Sequence, residues 1–238
     1  MKDDLGQRIK QYYEDSLRIT LPRQTNLILR IDGRSFHQFT KKLERPYSQK
    51  LADALDQAAL ALCLEAAGSR FAYGQSDEYS FLLTDYETPR SLMWFEGNLQ
   101  KIVSVSTSIF TAAFQKAFPC DTLATFDCRA LVIPQWPEVE KYFLWRQLDA
   151  SSNSLNMLAS AHYTHQELLG KSESEKHDLL CAKGLNWAKQ PTHFKRGRAI
   201  RRVEGSWIID KDIPIFNREA TYLASLNGPS SANNRSGD

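Results

Sequence analysis

The sequence is short of cysteine, has almost no charge imbalance and contains no long apolar run. Its four cysteines, Cys63, Cys120, Cys128 and Cys181, show no C-x-x-C spacing. That excludes a disulfide or zinc-ribbon framework and leaves the reduced thiols of a cytoplasmic protein as the expectation. The apolar stretches carry interspersed polar and charged residues and fall short of a bilayer span, so no membrane anchor is expected. No charged, apolar and small-residue leader is expected either. The 30 basic residues nearly balance the 28 acidic ones, for a formal charge of +2, so any polyanion-binding face must be local. His162 and His165 share a helical spacing but have no third ligand nearby, which argues against zinc. No Ser, His and Asp grouping has the setting of a nucleophile elbow. No internal repeat is visible.

What is present suffices for a core: 238 residues, 42% of them hydrophobic, suit one large domain or a domain with an appended subdomain. Residues Asn26 to Asp32 alternate, with Leu27, Leu29 and Ile31 on one face, and end on Asp-Gly, which reads as a strand reaching a turn. Ser48 opens a helical period through Leu51, Leu55, Ala59 and Leu62 that Gly68 closes. Arg70 to Gly74 and Tyr79 to Thr84 read as two strands joined by Gln75-Ser76-Asp77-Glu78, a hairpin with acids at its tip. Ser91 begins a second helical stretch that Pro119 stops, and Leu123 to Ile133 reads as a fourth strand.

The predicted fold class is therefore α+β, with the β-α-β-β-α-β core of ferredoxin-like folds and polymerase palms, both helices on one face of an antiparallel sheet. In that topology the first strand lies beside the third, so Asp32 and Asp77 become neighbours. The predicted organisation is a palm-like catalytic core over 1–135 with an N-terminal extension, and a helical and hairpin region over 136–224 packed on that core. The latter starts at Pro137 and holds capping boxes at Thr164/Glu167 and Ser172/Glu175. It ends in strands Ala199 to Val203 and Trp207 to Asp210. From Ser225 the apolar pattern vanishes, and a disordered tail over 225–238 is expected.

Carboxylates lifted to a sheet edge can share divalent metals, and two-metal nucleotidyl transfer needs such a pair. Asp32 and Asp77 supply the charge, and the Gly33 carbonyl is a hard-ion ligand that needs no side chain. Both turns also have a plainer reading, as a common Asp-Gly turn and a solvated hairpin tip, and spacing does not choose. Arg34, Ser35, Phe36 and His37 follow the first turn, where backbone N–H groups can cradle phosphates. Phe36 either stacks on a base or anchors the loop in the core. Arg45 either touches a triphosphate or stays solvated. The densest basic cluster is Lys195, Arg196, Arg198, Arg201 and Arg202, which suits RNA phosphates or a charged sheet edge equally. Arg129 and Arg146 are weaker candidates for the same role.

Two strings carry a specific resemblance: Arg30-Ile31-Asp32-Gly33-Arg34-Ser35-Phe36-His37-Gln38-Phe39 and Phe71-Ala72-Tyr73-Gly74-Gln75-Ser76-Asp77-Glu78-Tyr79-Ser80-Phe81. With Phe126-Asp127-Cys128-Arg129, Tyr142 to Asp149, Glu175-Lys176 and Phe194-Lys195-Arg196-Gly197, they resemble the tRNA-histidine guanylyltransferase family over most of residues 5–210. The resemblance implies a palm working in the 3′-to-5′ direction that adds nucleotides to the 5′ end of tRNA after ATP activates a 5′-monophosphate. It implies two Mg2+ ions held by Asp32, the Gly33 carbonyl and Asp77, with Glu78 a further catalytic residue that supports the metal geometry or charge. It also implies that the Asp32–His37 loop, Ser76 and Asp77 bind ATP, GTP or other nucleoside triphosphates, with Arg45 a candidate from its loop position alone, and that the chain forms a homotetramer across which tRNA binds. Where members devoted to tRNA-histidine carry His-Ile-Asn-Asn, this chain has Ser151-Ser152-Asn153-Ser154, Leu169 replaces a lysine, and Ser48 lies near an expected Asp. It therefore looks more like the bacterial and archaeal members that restore missing 5′ nucleotides by copying the opposing strand. A tRNA-histidine-specific enzyme and a non-catalytic RNA-binding palm are the alternatives.

Overall fold

The computed structural model describes residues 4–227. In chain order its elements are α1 (Leu5–Ile9), β1 (Asn26–Gly33), α2 (Phe36–Thr40), α3 (Gln49–Glu65), β2 (Ser69–Gln75), β3 (Glu78–Thr84), α4 (Leu99–Ala117) and β4 (Phe126–Val132). There follow α5 (Trp136–His162), α6 (His165–Leu168), α7 (Glu173–Ala182), α8 (Thr192–Arg196), β5 (Arg198–Val203), β6 (Ser206–Asp210) and α9 (Ala220–Ala224). All six strands join one antiparallel sheet in the order β4-β1-β3-β2-β5-β6. Strands from the second half of the chain thus extend the sheet begun by the first.

Strand alternation sorts β1 between two cores. Leu27, Leu29 and Ile31 enter one with residues of α3 and α4, among them Leu55, Leu62, Ile102 and Phe110. Ile28 points the other way, into a core with Phe71, Tyr73 and the α5 residues Val139 and Phe143. The sheet is therefore covered on both faces. A smaller apolar cluster of Leu155, Leu158, Ala159 and Leu180 fastens α7 to the C-terminal half of α5. Both capping boxes form, at Thr164/Glu167 and Ser172/Glu175.

One helix begins later than its apolar period suggests. The chain from Ser91 does not enter α4 until Leu99, because Phe95, Glu96 and Gly97 hold positive φ, which breaks helical continuity. Asn98 then caps the helix by accepting from the Lys101 N–H (3.2 Å). The skipped segment pairs with the N-terminal arm instead, where the Leu21 N–H donates to the Gly97 carbonyl (2.8 Å). Of the tail expected from Ser225, residues Ser225–Asn227 form a helical turn and the rest lies outside the described residues. No helix among the described residues is long and apolar enough to cross a membrane.

Candidate active site

The two acidic turns meet at one end of the sheet because β1 runs antiparallel to β3, with Ile31 opposite Tyr79. Asp32, the last residue but one of β1, therefore lies where Glu78 begins β3. Ser76 and Asp77 form the two-residue connection between Gln75 and Glu78, and the Ser76 hydroxyl donates to the Asp77 carboxylate (2.9 Å). Ser76 (φ 48°) and Ser35 (φ 54°) both sit in the left-handed region, so each turn holds a non-glycine residue in a costly conformation. Such positions persist where the surrounding structure over-determines them, and they concentrate at functional sites.

Glycine at position 33 is required by space. A Cβ there would lie 2.6 Å from the Asp77 carboxylate oxygen and 2.5 Å from the Phe36 ring. The Gly33 backbone and the Asp77 carboxylate are therefore in close approach. Burial raises the pKa of Asp77, and the nearby charge of Asp32 raises it further, against the lowering hydrogen bond from Ser76. Like charges this near one another disfavour joint ionisation, a cost that a cation between them would relieve. Gly33→Ala is accordingly expected to destabilise the fold by about 1–3 kcal/mol in denaturant unfolding. Displacing Asp77 by even about 1 Å should also cut product formation by roughly a hundredfold; an active, equally stable alanine variant would contradict the close approach.

Glu78 is placed differently. Its carboxylate forms an ion pair with Arg146 of α5 (2.8 Å) and lies 4.0 Å from Arg30. Burial raises its pKa while both arginines lower it. Among the described residues no group of three or more His, Cys, Asp or Glu side chains is placed to hold a metal. A divalent ion here has Asp32, Asp77, the Gly33 carbonyl and the substrate's own oxygens to draw on, which suits magnesium, an ion bound through one or two carboxylates plus phosphates.

Beside the turns opens a cleft of about 620 Å³, large enough for a nucleotide. Gly33, Ser35, His37, Arg45, Ser76 and Asp77 line it. The opposite wall comes from α5, through Asn153, Ser154 and Met157, and from α8, through His193 and Phe194. Tyr47 stacks on Phe194 (centroids 4.2 Å apart) and donates to the Ser154 carbonyl (3.3 Å), tying the loop before α3 to α5 and α8. Phe36 also borders the cleft. It is buried and packs against Phe39, Phe114 and Phe126, so its ring anchors the loop and is not free to stack on a base. The Arg34 N–H donates to the Thr125 carbonyl (2.8 Å) and is therefore already engaged within the fold.

The basic cluster does not form one face. Alternation along β5 sends Arg198 and Arg202 to one side of the sheet and Arg201 to the other. Arg198 is buried and paired with the equally buried Asp56, which also accepts from the Tyr79 hydroxyl. This arginine is a core ion pair and not an RNA contact. Arg201 pairs with Asp210 (2.8 Å) and Arg196 donates to the Ile213 carbonyl (3.1 Å). Arg146 is likewise buried. Arg202, stacked on Trp207, and Arg129 remain exposed, with Lys195 half-buried over Trp187. Arg146, a candidate for RNA phosphates, instead shares one face of α5 with Asp149, Asn153 and Met157, which follow it at spacings of three or four; Asp149 and Met157 are site residues that sequence reasoning missed and that this stripe marks.

An antiparallel palm-like sheet with paired carboxylates at one end and a nucleotide-sized cleft beside them defines a nucleotidyltransferase. The family model described as tRNAHis guanylyltransferase (Thg1) matches residues 6–134, and the chain belongs to that family, whose members act on the 5′ end of tRNA. It is 34% identical to the tRNA(His) guanylyltransferase of Schizosaccharomyces pombe, over 92% of this chain and 89% of that one. A bacterial tRNA(His) guanylyltransferase-like protein in complex with ATP superposes with a TM-score of 0.88 at 41% identity, over 93% of this chain and 98% of the other. A second such bacterial structure, in complex with GTP, gives 0.83 at 38% identity, over 94% and 99%.

Proposed function

We propose that this chain is a magnesium-dependent 3′-to-5′ nucleotidyltransferase that repairs 5′-truncated tRNAs by copying the opposing strand, after ATP activates the 5′-monophosphate. The observation that carries the reading is the close approach of Gly33 to the Asp77 carboxylate, both lining the cleft, with Asp32 near enough for its charge to act on Asp77. Its core is taken as the split βαββαβ palm of residues 1–135, with 136–224 supplying the terminal hairpin and the second wall of the cleft. Two magnesium ions held by Asp32, the Gly33 carbonyl and Asp77 would supply charge neutralisation for a triphosphate and its leaving pyrophosphate. The chain itself orients the substrates. The close Gly33–Asp77 approach sets the distance between the two turns, the turn N–H groups receive phosphate oxygens, and the cleft walls exclude water around the base. Exposed Arg129 and Arg202, with Lys195, are the cations left to meet RNA phosphates. Resemblance to the family suggests a cytoplasmic homotetramer, which a mass measurement in solution checks.

Template copying is favoured by Ser151-Ser152-Asn153-Ser154, since this stretch of α5 keeps only the asparagine of the histidine-specific pattern, at Asn153, and places a serine, Ser154, on the cleft where that pattern has a second asparagine. The names of curated relatives favour a second reading, addition of one G to tRNA-histidine. The test offers purified protein a 5′-monophosphorylated tRNA lacking its first nucleotide, with ATP, magnesium and one nucleoside triphosphate at a time. Incorporation is expected to follow the base opposite the gap. Addition of G to tRNA-histidine alone would establish the second reading, and incorporation indifferent to the opposing base would remove the template.

A further inference from the structure

The ion pair between Glu78 and α5 belongs to a closed network around the turn that carries Asp77. Arg146, 5% exposed, reaches Glu78 at 2.8 Å and Asp149 at 3.0 Å. Asp149 also accepts from Gln75 (3.5 Å) and from Asn153 (3.3 Å), which lines the cleft. Gln75 and Glu78 are the cross-strand pair that brackets Ser76-Asp77. Both ends of the acidic turn are thus tied to two residues of one helix that stand three apart, and those two are tied to each other. A flexible or unpaired Glu78 would leave the turn held only by the strand ladder and the strained Ser76.

We propose that Arg146, through Glu78 and Asp149, is a positioning residue that fixes the Asp77 carboxylate against Asp32 for divalent-metal binding. This role rests on the nucleotidyltransferase reading above, and it reassigns Arg146 from RNA to the site. The planar guanidinium suits it, because one rigid fork spans two carboxylates where a lysine ammonium is a single point charge. α5 also supplies the far wall of the cleft, so the same helix sets the acidic turn and the nucleotide wall in one frame. Groups that orient metal ligands characteristically change metal affinity or turnover by about 10–100-fold when lost.

The test compares the unmutated protein with Arg146→Lys and Asp149→Asn. Mn2+ binding is followed by electron paramagnetic resonance, and the kcat and the KM for the nucleoside triphosphate are measured on truncated tRNA. Both variants are expected to melt cooperatively, to bind Mn2+ about tenfold or more weakly and to lose kcat by a similar factor, with the triphosphate KM little changed. Arg146→Met removes the charge altogether and, in protein that melts cooperatively, is expected to show the larger loss. Folded Arg146→Lys and Asp149→Asn proteins with unaltered Mn2+ affinity and kcat would overturn the positioning role. Loss of tRNA affinity alone, with Mn2+ binding intact, would also overturn it and return Arg146 to RNA. An unmutated protein that neither binds Mn2+ nor extends tRNA would instead overturn the underlying nucleotidyltransferase reading.

Discussion

Asp77→Asn is expected to lower nucleotide addition by about a thousandfold or more, since metal charge stabilisation is worth several kcal/mol and each 1.36 kcal/mol is tenfold in rate. The same substitution should leave the fold at least as stable. Burial and the neighbouring Asp32 raise the Asp77 pKa above its usual 3.8. A carboxyl whose folded pKa is raised favours folding only while protonated. That contribution is complete below the unfolded-state value and is lost as pH rises through the folded-state value. At neutral pH and without metal, Asp77 is therefore ionised at a cost that asparagine does not incur. Thermal unfolding without divalent metal should show Asp77→Asn matching the unmutated chain below pH 3.8 and exceeding it above the folded-state pKa. An asparagine variant that unfolds earlier at neutral pH would show that Asp77 is a structural anion and not a functional one.

The second large effect is on stability. Arg198 and Asp56 are 2% and 1% exposed and form a buried ion pair beneath the aromatic ring of Tyr79. Replacing Arg198 by alanine leaves Asp56 charged in the core, for which the loss is about 3–5 kcal/mol. In a chain of this size each kcal/mol moves the melting temperature by about 2–4 °C, so calorimetry should find a fall of roughly 6–20 °C. An Arg198→Met/Asp56→Leu double variant should recover much of it, because well-packed apolar side chains of similar volume often replace a buried pair without loss. Weaker tRNA binding by Arg198→Ala at an unchanged melting temperature would contradict the core assignment.

The contrast between these two positions explains what the sequence makes legible. Asp32 and Asp77 were readable because they follow apolar alternating runs, and the antiparallel pairing of β1 with β3 places such strand ends together. The core place of Arg198 is not legible in the sequence, because five cations in eight residues look like one exposed patch in a string. On a strand, period-two alternation divides them between faces, and one of them finds a carboxylate in α3 far away in sequence. Phe36 shows the same limit. Its place after the Asp-Gly turn permits a base-stacking role, but Phe114 of α4 and Phe126 of β4 enclose it. The α4 start was misjudged because Phe95 and Glu96 adopt left-handed φ values that neither residue type favours. The α5 wall and its Arg146–Glu78 link depend on a helix crossing the back of the sheet, a packing arrangement that local periodicity does not encode.

The most direct measurement places the unmutated chain and Asp77→Asn side by side on a 5′-monophosphorylated tRNA lacking its first nucleotide, with ATP and the complementary nucleoside triphosphate, with and without Mg2+. The expected result is one nucleotide added at the 5′ end, by the unmutated chain alone and only with Mg2+. Extension without divalent metal, extension at the 3′ end, or equal extension by Asp77→Asn would contradict a 5′-end nucleotidyltransferase built on the Asp32 and Asp77 turns.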